Sequence, residues 1–126
     1  MEKKPLVWFR AEVKTPPFSL AARVEAGQLL RRLQHGENIA MPHSRPMPSI
    51  GSHVHELRIN DQNQTFRVIY RIDKAAIVIV EVFSKKTPET PDRVIRVSQS
   101  RLAAYDALTD DALGEQGEST KGGNTK

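Results

Sequence analysis

Three β-prone segments follow one another closely in the middle of the chain, and this arrangement limits the fold more than any other feature. The segments are VHELRIN (54–60), TFRVIYRID (65–73) and AIVIVEVF (76–83). The first two alternate polar and apolar residues, and the links between the segments are only a few residues long. Because such short links join antiparallel neighbours, the sequence predicts a three-stranded antiparallel meander.

The third segment is apolar on both of its predicted faces. Its side chains are expected to divide with Ile77 and Ile79 on one face and Val78, Val80 and Val82 on the other. Such a strand is typical of a central position that is covered on both sides. Glu81 interrupts it, and a buried acid is costly without a partner. Glu81 is therefore interpreted either as half of an ion pair with a neighbouring arginine or as a general acid or base.

Further elements are predicted on both sides of the meander. Residues 6–9 suit an opening strand. A helix of about five turns is expected to start near Thr15, Pro16 and Pro17 and to end at Gly36, with a basic outer face. Residues 37–53 contain three prolines and are predicted to form a loop. A second helix is predicted from Thr90, Pro91 and Asp92 to about Leu108.

The whole chain has 126 residues, which suits one domain of α+β class, predicted over residues 1–108. It has no cysteine, and no apolar run approaches the roughly 18 residues that span a bilayer, so a cytoplasmic protein is expected. Residues 109–126 carry two lysines against four acids (2 − 4 = −2) and are predicted to be a disordered polar tail. The net charge of +4 therefore places +6 on residues 1–108, which favours a polyanionic partner.

Basic residues collect where the last strand is expected to end. Lys85 and Lys86 stand in FSKKTPETP (83–91), between that strand and the second helix. Lysines beside a helix start suit an anion site, although charges also protect a strand end from edge pairing. Alternation puts Arg67 and Arg71 on one face of the second strand, and Arg58 shares that face if the first two strands pair around their polar turn.

The predicted arginines and lysines, together with Glu81, suit RNA transesterification. This reaction requires charge neutralisation at the phosphate and two proton transfers. The arginines and lysines could supply the first, and Glu81, Tyr70, Tyr105 or a histidine the second. His53 and His55 are predicted to share a strand face, but they are interpreted as a surface pair because no cysteine or acidic cluster accompanies them. Neither a metal nor a cofactor is expected.

Three strings of the sequence resemble the phage-derived Gp49-like branch of the RelE/HigB toxin superfamily. They are PMPSIGSHVHELRI (46–59), FRVIYRI (66–72) and VEVFSKKTPETP (80–91), and the helix EAGQLLRRLQHG (25–36) is similar to that family's first long helix. The resemblance implies a RelE-like (microbial-RNase-like) α+β fold with two N-terminal helical segments on a small, mainly antiparallel sheet. It also implies metal-independent cleavage of mRNA, commonly on the ribosome, and neutralisation by an antitoxin that is a helix-turn-helix DNA-binding protein.

By the same resemblance, Arg58, Arg67, Lys85 and Lys86 match the family's phosphate ligands, and the chemistry of the other residues adds the rest of the expected site. The expected catalytic residues are Arg58, Arg67, Glu81, Lys85 and Lys86, and the expected substrate-binding residues are Tyr70, Arg71 and Thr87. One departure matters, because relatives often have a histidine and a small residue where this chain has Glu81 and Val82. Two alternatives therefore stay open: a ParE-like toxin that inhibits a protein such as DNA gyrase, and a binding protein without toxicity.

Overall fold

A mixed β-sheet forms the centre of the protein, with one helix on each face. The computed structural model describes residues 3–11, 19–61, 64–85 and 89–117, and describes side chains up to residue 84 in the third range and 110 in the fourth. The elements in chain order are β1 (Leu6–Trp8), α1 (Leu20–Gln34), β2 (Ser44–Pro46), β3 (Val54–Asp61), β4 (Gln64–Ile72), β5 (Ile77–Lys85) and α2 (Asp92–Gly117).

The predicted meander is confirmed, and two further strands extend it. The order in the sheet is β1-β5-β4-β3-β2 among the described residues, with β4 antiparallel to both β3 and β5. The predicted opening strand is β1, which pairs parallel with β5. The segment predicted as a loop contains β2, which pairs antiparallel with β3. Pro46 ends β2, and its lack of an amide hydrogen is tolerated at the edge of a sheet. The α+β class is confirmed, and the RelE-like fold stays a prediction.

A register shift in β5 changes which side chains share a face. Ile69 of β4 pairs with Glu81 while Tyr70 pairs with Ile79, so that Val80 is an extra residue on β5. This is the geometry of a β-bulge, which interrupts strict alternation. The prediction that Val82 lies on the face of Val78 and Val80 is therefore wrong, since Val82 packs in the same core as Ile79.

The sheet separates two apolar cores, one under each helix. The core under α1 includes Leu29 and Leu33 of the helix with Leu57 and Ile79 of the sheet. The core under α2 includes Val78 and Val80 and the inward residues Val94 and Leu102. β5 contributes to both cores, so its predicted burial on both faces is confirmed. In the sheet, however, β4 is the middle strand and β5 lies next to it.

Helix α1 starts later than predicted and ends where predicted. Ser19 caps it, because its hydroxyl accepts a hydrogen bond from the Ala22 amide at 3.1 Å. The helix therefore has 15 residues, about four turns instead of five. At its end Gly36 has φ 87°, a conformation that suits glycine, and the Glu37 amide donates to the Arg32 carbonyl in a Schellman arrangement. The described part of the N-terminal region has this one helix, and residues 12–18 lie outside it.

Helix α2 is longer than predicted. It continues from Leu108 to Gly117, into the segment predicted as a polar tail, and residues 118–126 lie outside the described ranges. The prediction ended the helix where the apolar pattern ends. Residues 109–117 contain no proline, however, and a helix that has already formed extends at low cost. No helix in the described ranges has both the length and the apolar character that crossing a membrane requires.

Polar side chains fix α2 on the sheet. Arg71 of β4 donates to Asp106 of α2 through Nη2 at 2.6 Å and Nη1 at 3.0 Å, and to Asp73 through Nε at 2.6 Å. The hydrogen bond with Arg71 lowers the pKa of the Asp106 carboxyl, and the bonds with Asp106 and Asp73 raise the pKa of Arg71. Earlier in the helix, Gln99 donates to the Ser49 carbonyl at 2.9 Å. These bonds set the position of α2 relative to the meander.

Replacing Asp106 with asparagine should lower stability in a pH-dependent way. Because the folded pKa of Asp106 lies below its unfolded value, its ionised form contributes stability above about pH 4, and this contribution is lost as pH falls through the folded pKa. We expect Asp106→Asn to cost about 0.2–1 kcal/mol at pH 7 and close to nothing at acidic pH. Urea unfolding at several pH values measures this difference. Asp110→Asn, at an exposed position on the same helix, is the control, and an equal cost for Asp106→Asn at all pH values would contradict the assignment.

Candidate active site

Three arginines meet around one buried glutamate on the α2 side of the sheet. In the registers of the strands, Arg45 of β2 pairs with Glu56 of β3, and Arg58 of β3 pairs with Arg67 of β4. The predicted sharing of a face by Arg58 and Arg67 is confirmed. We call the four residues Arg45, Glu56, Arg58 and Arg67 the cationic cluster.

The glutamate holds the cluster together. Its Oε1 lies 3.1 Å from Arg45 Nε, 3.5 Å from Arg67 Nη1 and 4.0 Å from Arg58 Nε. Its Oε2 accepts a hydrogen bond of 2.7 Å from the Thr90 hydroxyl. Glu56 is fully buried, and these contacts compensate the desolvation of its carboxylate.

The cluster nevertheless retains excess positive charge. Three guanidinium groups face one carboxylate, so the sum is +3 − 1 = +2. Burial lowers the pKa of Arg67, as do Arg58 and Arg45 nearby, and Glu56 opposes this effect. The side chain of Arg67 is 2% exposed, against 24% for Arg58 and 29% for Arg45. Arg58 and Arg45 can therefore reach a ligand from solvent, while Arg67 adds charge from behind. This arrangement can bind a phosphate, since guanidinium groups match its geometry.

Thr90 connects the start of α2 to the cluster. Its hydroxyl donates to Glu56 and accepts a hydrogen bond of 3.1 Å from Arg45 Nη2. Immediately after it, the Pro91 carbonyl accepts from the amides of Val94 and Ile95 in the first turn of the helix. The predicted helix start at residues 90–92 thus lies beside the cluster.

A cleft of about 550 Å³ opens next to the cluster, between β2 and the start of α2. Arg45 and Thr90 belong to both the cleft and the network around Glu56. Met47 and Ile95 are among the apolar residues that line the cleft. The site therefore combines a cationic group with an adjoining concave surface.

Glu81 has a different partner from those predicted. Its Oε1 lies 3.3 Å from Arg101 Nη1 of α2 and accepts from the Val82 amide at 3.1 Å, while Arg101 also donates to the Val80 carbonyl at 2.6 Å. The expectation of an ion pair is thus met by Arg101 of α2. Arg101 stands next to the buried Leu102 in α2, but the sequence has no signal that links it to Glu81.

Two predicted substrate-binding residues lie away from the cluster. Tyr70 is 1% exposed in the core under α1, on the other face of the sheet, where its hydroxyl lies 2.6 Å from the Ser44 hydroxyl. Arg71 is on the same face as Arg67 but four residues further along β4, where it forms ion pairs with Asp73 and Asp106. Tyr105 packs edge-to-face against Phe9, with ring centroids 5.4 Å apart.

The remaining predicted residues lie at or beyond the end of β5. Lys85 is the last residue of β5 and pairs with Thr65 of β4, and its side chain lies outside the described set. Lys86 and Thr87 also lie outside the described residues.

The two histidines of the HVH segment do not form the predicted strand pair. His53 precedes β3 with φ 63°, while His55 lies within β3 and stacks on Tyr70 with ring centroids 5.4 Å apart. The prediction that they share a strand face is wrong, because β3 starts at Val54.

Sequence reasoning missed Glu56, Arg45 and Thr90 as members of the site. Alternation along β3 puts Glu56 on the same face as Arg58. The sequence could therefore have predicted Glu56 as the ion-pair partner shared by Arg58 and Arg67. Arg45 could not, because it stands in the proline-rich segment where no strand was predicted. Thr90 was identified only as part of a helix start.

Replacing Glu56 with glutamine should destabilise the fold strongly. The change keeps the size of the side chain but leaves three guanidinium groups without their shared carboxylate, so we expect a loss of about 3–5 kcal/mol in the free energy of unfolding. Urea denaturation measures it. The control is Glu37→Gln, which removes an exposed ion pair with Arg32 and should change stability little. Similar stabilities for the two variants would show that Glu56 does not hold the cluster.

Comparison with known proteins assigns the chain to a family. Among curated proteins none matches it. The profile of the phage-derived Gp49-like family matches residues 17–103, which span α1, the strands from β2 to β5 and the start of α2. That family is associated with toxin–antitoxin systems and, in general, with toxin endoribonucleases. The matched region contains the whole cationic cluster, and the chain belongs to the phage-derived Gp49-like family.

Proposed function

We propose that this protein is the toxin of a type II toxin–antitoxin module and acts as a metal-independent mRNA endoribonuclease. The observation that carries the proposal is the cationic cluster, in which Arg45, Arg58 and Arg67 surround a single buried carboxylate. Family membership supports the toxin class. The surplus of two positive charges supports a phosphate ligand.

In the proposed reaction the cluster stabilises charge at the phosphate. The ribose 2′-hydroxyl loses its proton and attacks the adjacent phosphorus, negative charge grows on the phosphoryl oxygens, and the bond to the 5′-oxygen breaks as that oxygen takes a proton from solvent water. Arg58 donates to a phosphoryl oxygen, and Arg67 adds charge from a position where water is largely excluded. Fixed donors of this kind act mainly on the transition state, where the charge is greatest. Lys85 and Lys86, at and after the end of β5, complete the proposed set of phosphate ligands.

Glu81 is the proposed proton-transfer group. By the register of β4 and β5, Glu81 is diagonal to Arg67, a relation that puts Cα atoms about 7–8 Å apart. Arg101 orients its carboxylate at 3.3 Å. In this role Glu81 accepts the 2′-hydroxyl proton.

The proposed partners follow from charge and from the family. Translated mRNA on the ribosome is the proposed substrate, because the +6 on residues 1–108 favours a polyanionic environment. The proposed antitoxin is a helix-turn-helix protein that covers the cationic cluster. The RelE-like identity of the fold belongs to the same proposal, supported by the meander and by the helix on each of its faces.

One observation favours a second candidate function. Glu81 Oε1 accepts from both Arg101 and the Val82 amide, a pattern that also suits a purely structural acid. If Glu81 is structural, we infer that the cluster binds an acidic surface of a protein instead of cleaving RNA, which is the alternative of a ParE-like inhibitor of DNA gyrase.

Replacing Arg58 should abolish most of the cleavage. Arg58→Ala removes a proposed phosphate ligand that is partly exposed, so we expect a loss on the order of 10²–10³-fold in cleavage rate with little loss of structure. The measurement is 5′-end mapping of translated messages after induction, together with cleavage of programmed ribosomes in vitro. Lys85→Ala/Lys86→Ala tests the lysines in the same assay.

The matched control is Arg96→Ala, which removes an exposed arginine from α2. It should cleave like the native chain. Equal cleavage by Arg58→Ala and the native chain would remove the site assignment. Growth arrest without RNA cuts, accompanied by inhibition of supercoiling by the purified protein, would establish the gyrase-directed alternative.

A further inference from the structure

The cleft beside the cationic cluster has the composition of a nucleobase site and not of a second phosphate site. Among the described residues that line it, two carboxylates, Glu89 and Asp92, outnumber one cation, Arg45 (1 − 2 = −1). A negative cleft repels a phosphate. It favours an uncharged group that offers N–H donors.

The walls of the cleft suit the faces of a flat ring. Pro46 and Met47 line it from the β2 side, and Pro91 and Ile95 line it from the start of α2. Methionine and isoleucine bury apolar surface against an aromatic ring, and a volume of about 550 Å³ is sufficient for one base with its sugar.

Arg45 connects the cleft to the cluster. Its Nε lies 3.1 Å from Glu56 Oε1 and its Nη2 donates to Thr90 Oγ1, while the same side chain lines the cleft. A phosphate held at Arg45 and Arg58 would therefore have its neighbouring nucleotide at the mouth of the cleft.

The carboxylates select among the four bases. Guanine alone presents two adjacent N–H donors, N1–H and the N2 amino group, on its Watson–Crick edge, and one carboxylate can accept from both. Adenine and cytosine place an acceptor next to their amino group, and uracil places carbonyls on both sides of its N–H. A carboxylate facing those acceptors is repelled.

We propose that the cleft between β2 and the start of α2 binds a guanine base next to the scissile phosphate, with Glu89 or Asp92 accepting from N1–H and N2–H. The inference rests on the proposed function for its RNA substrate, and it assigns specificity to residues outside the catalytic set. Glu89 and Asp92 determine which nucleotide is bound and take no part in bond cleavage.

The test measures binding separately from cleavage. The probes are 2′-O-methyl tetranucleotides of uridine in which one residue, at each of the four positions in turn, is replaced by guanosine, adenosine or cytidine. They cannot be cleaved because the attacking 2′-hydroxyl is blocked. At one position we expect guanine to lower Kd on the order of tenfold to a hundredfold relative to the other bases. Fluorescence competition gives the Kd values.

The variant Glu89→Gln/Asp92→Asn should lose this selectivity and gain affinity for adenine, because a carboxamide both donates and accepts as adenine requires. Glu37→Gln, an exposed carboxylate that pairs with Arg32, is the control and should keep guanine selectivity. Circular dichroism confirms that the double variant is folded. Equal Kd values for all bases, or unchanged selectivity in the double variant, would overturn the inference.

Cleavage of the matching ribose oligonucleotides separates this inference from the proposed function. Guanine-selective binding without cleavage, either of these oligonucleotides or of messages on programmed ribosomes, would contradict the nuclease and leave the base site standing. Cleavage that is indifferent to the base would leave the nuclease standing and remove the base site.

Discussion

The burial of Glu56 among three guanidinium groups is the interaction on which the rest of the site depends. A fully buried carboxylate is tolerated only when it is paired, and three neighbouring arginines are tolerated only when an anion lies between them. The four side chains come from β2, β3 and β4, and Thr90 adds the start of α2. One interaction therefore positions an edge strand, a hairpin and a helix relative to each other.

The α2 face of the sheet is organised as an apolar centre between two polar ends. Val78, Val80 and Leu102 pack in the centre. At one end Arg71 binds Asp106 and holds α2, and at the other end the cationic cluster adjoins the open cleft. The β-bulge at Val80 turns Glu81 toward α2 and within reach of Arg101. Arginines on this face thus have two roles, since some fix the helix and others are available to a ligand.

Local patterns accounted for most of the elements and for half of the cluster. Alternation with short links predicted β3, β4 and β5, and the same alternation brought Arg58 and Arg67 to one face. It did not predict β2, since a three-residue strand next to prolines has no periodicity of its own. It also could not predict the bulge, because one unpaired residue at Val80 leaves no mark on an apolar run. The end of α2 was placed too early because helix length was judged from apolar spacing alone.

The sequence by itself determined the α+β fold class, the meander and the excess of positive charge on residues 1–108. The charge follows from composition, and the meander follows from the two-residue period of strands and the short links between them. Only the tertiary structure decided which charges act together. Arg67 and Arg71 are both arginines on the same predicted face of β4. Arg71 is neutralised by Asp73 and Asp106, whereas Arg67 shares Glu56 with two more arginines. The physical reason is that an ion pair depends on distance in space, and the partners of Arg71, Glu56 and Glu81 come from elements that meet only after the sheet and α2 have packed.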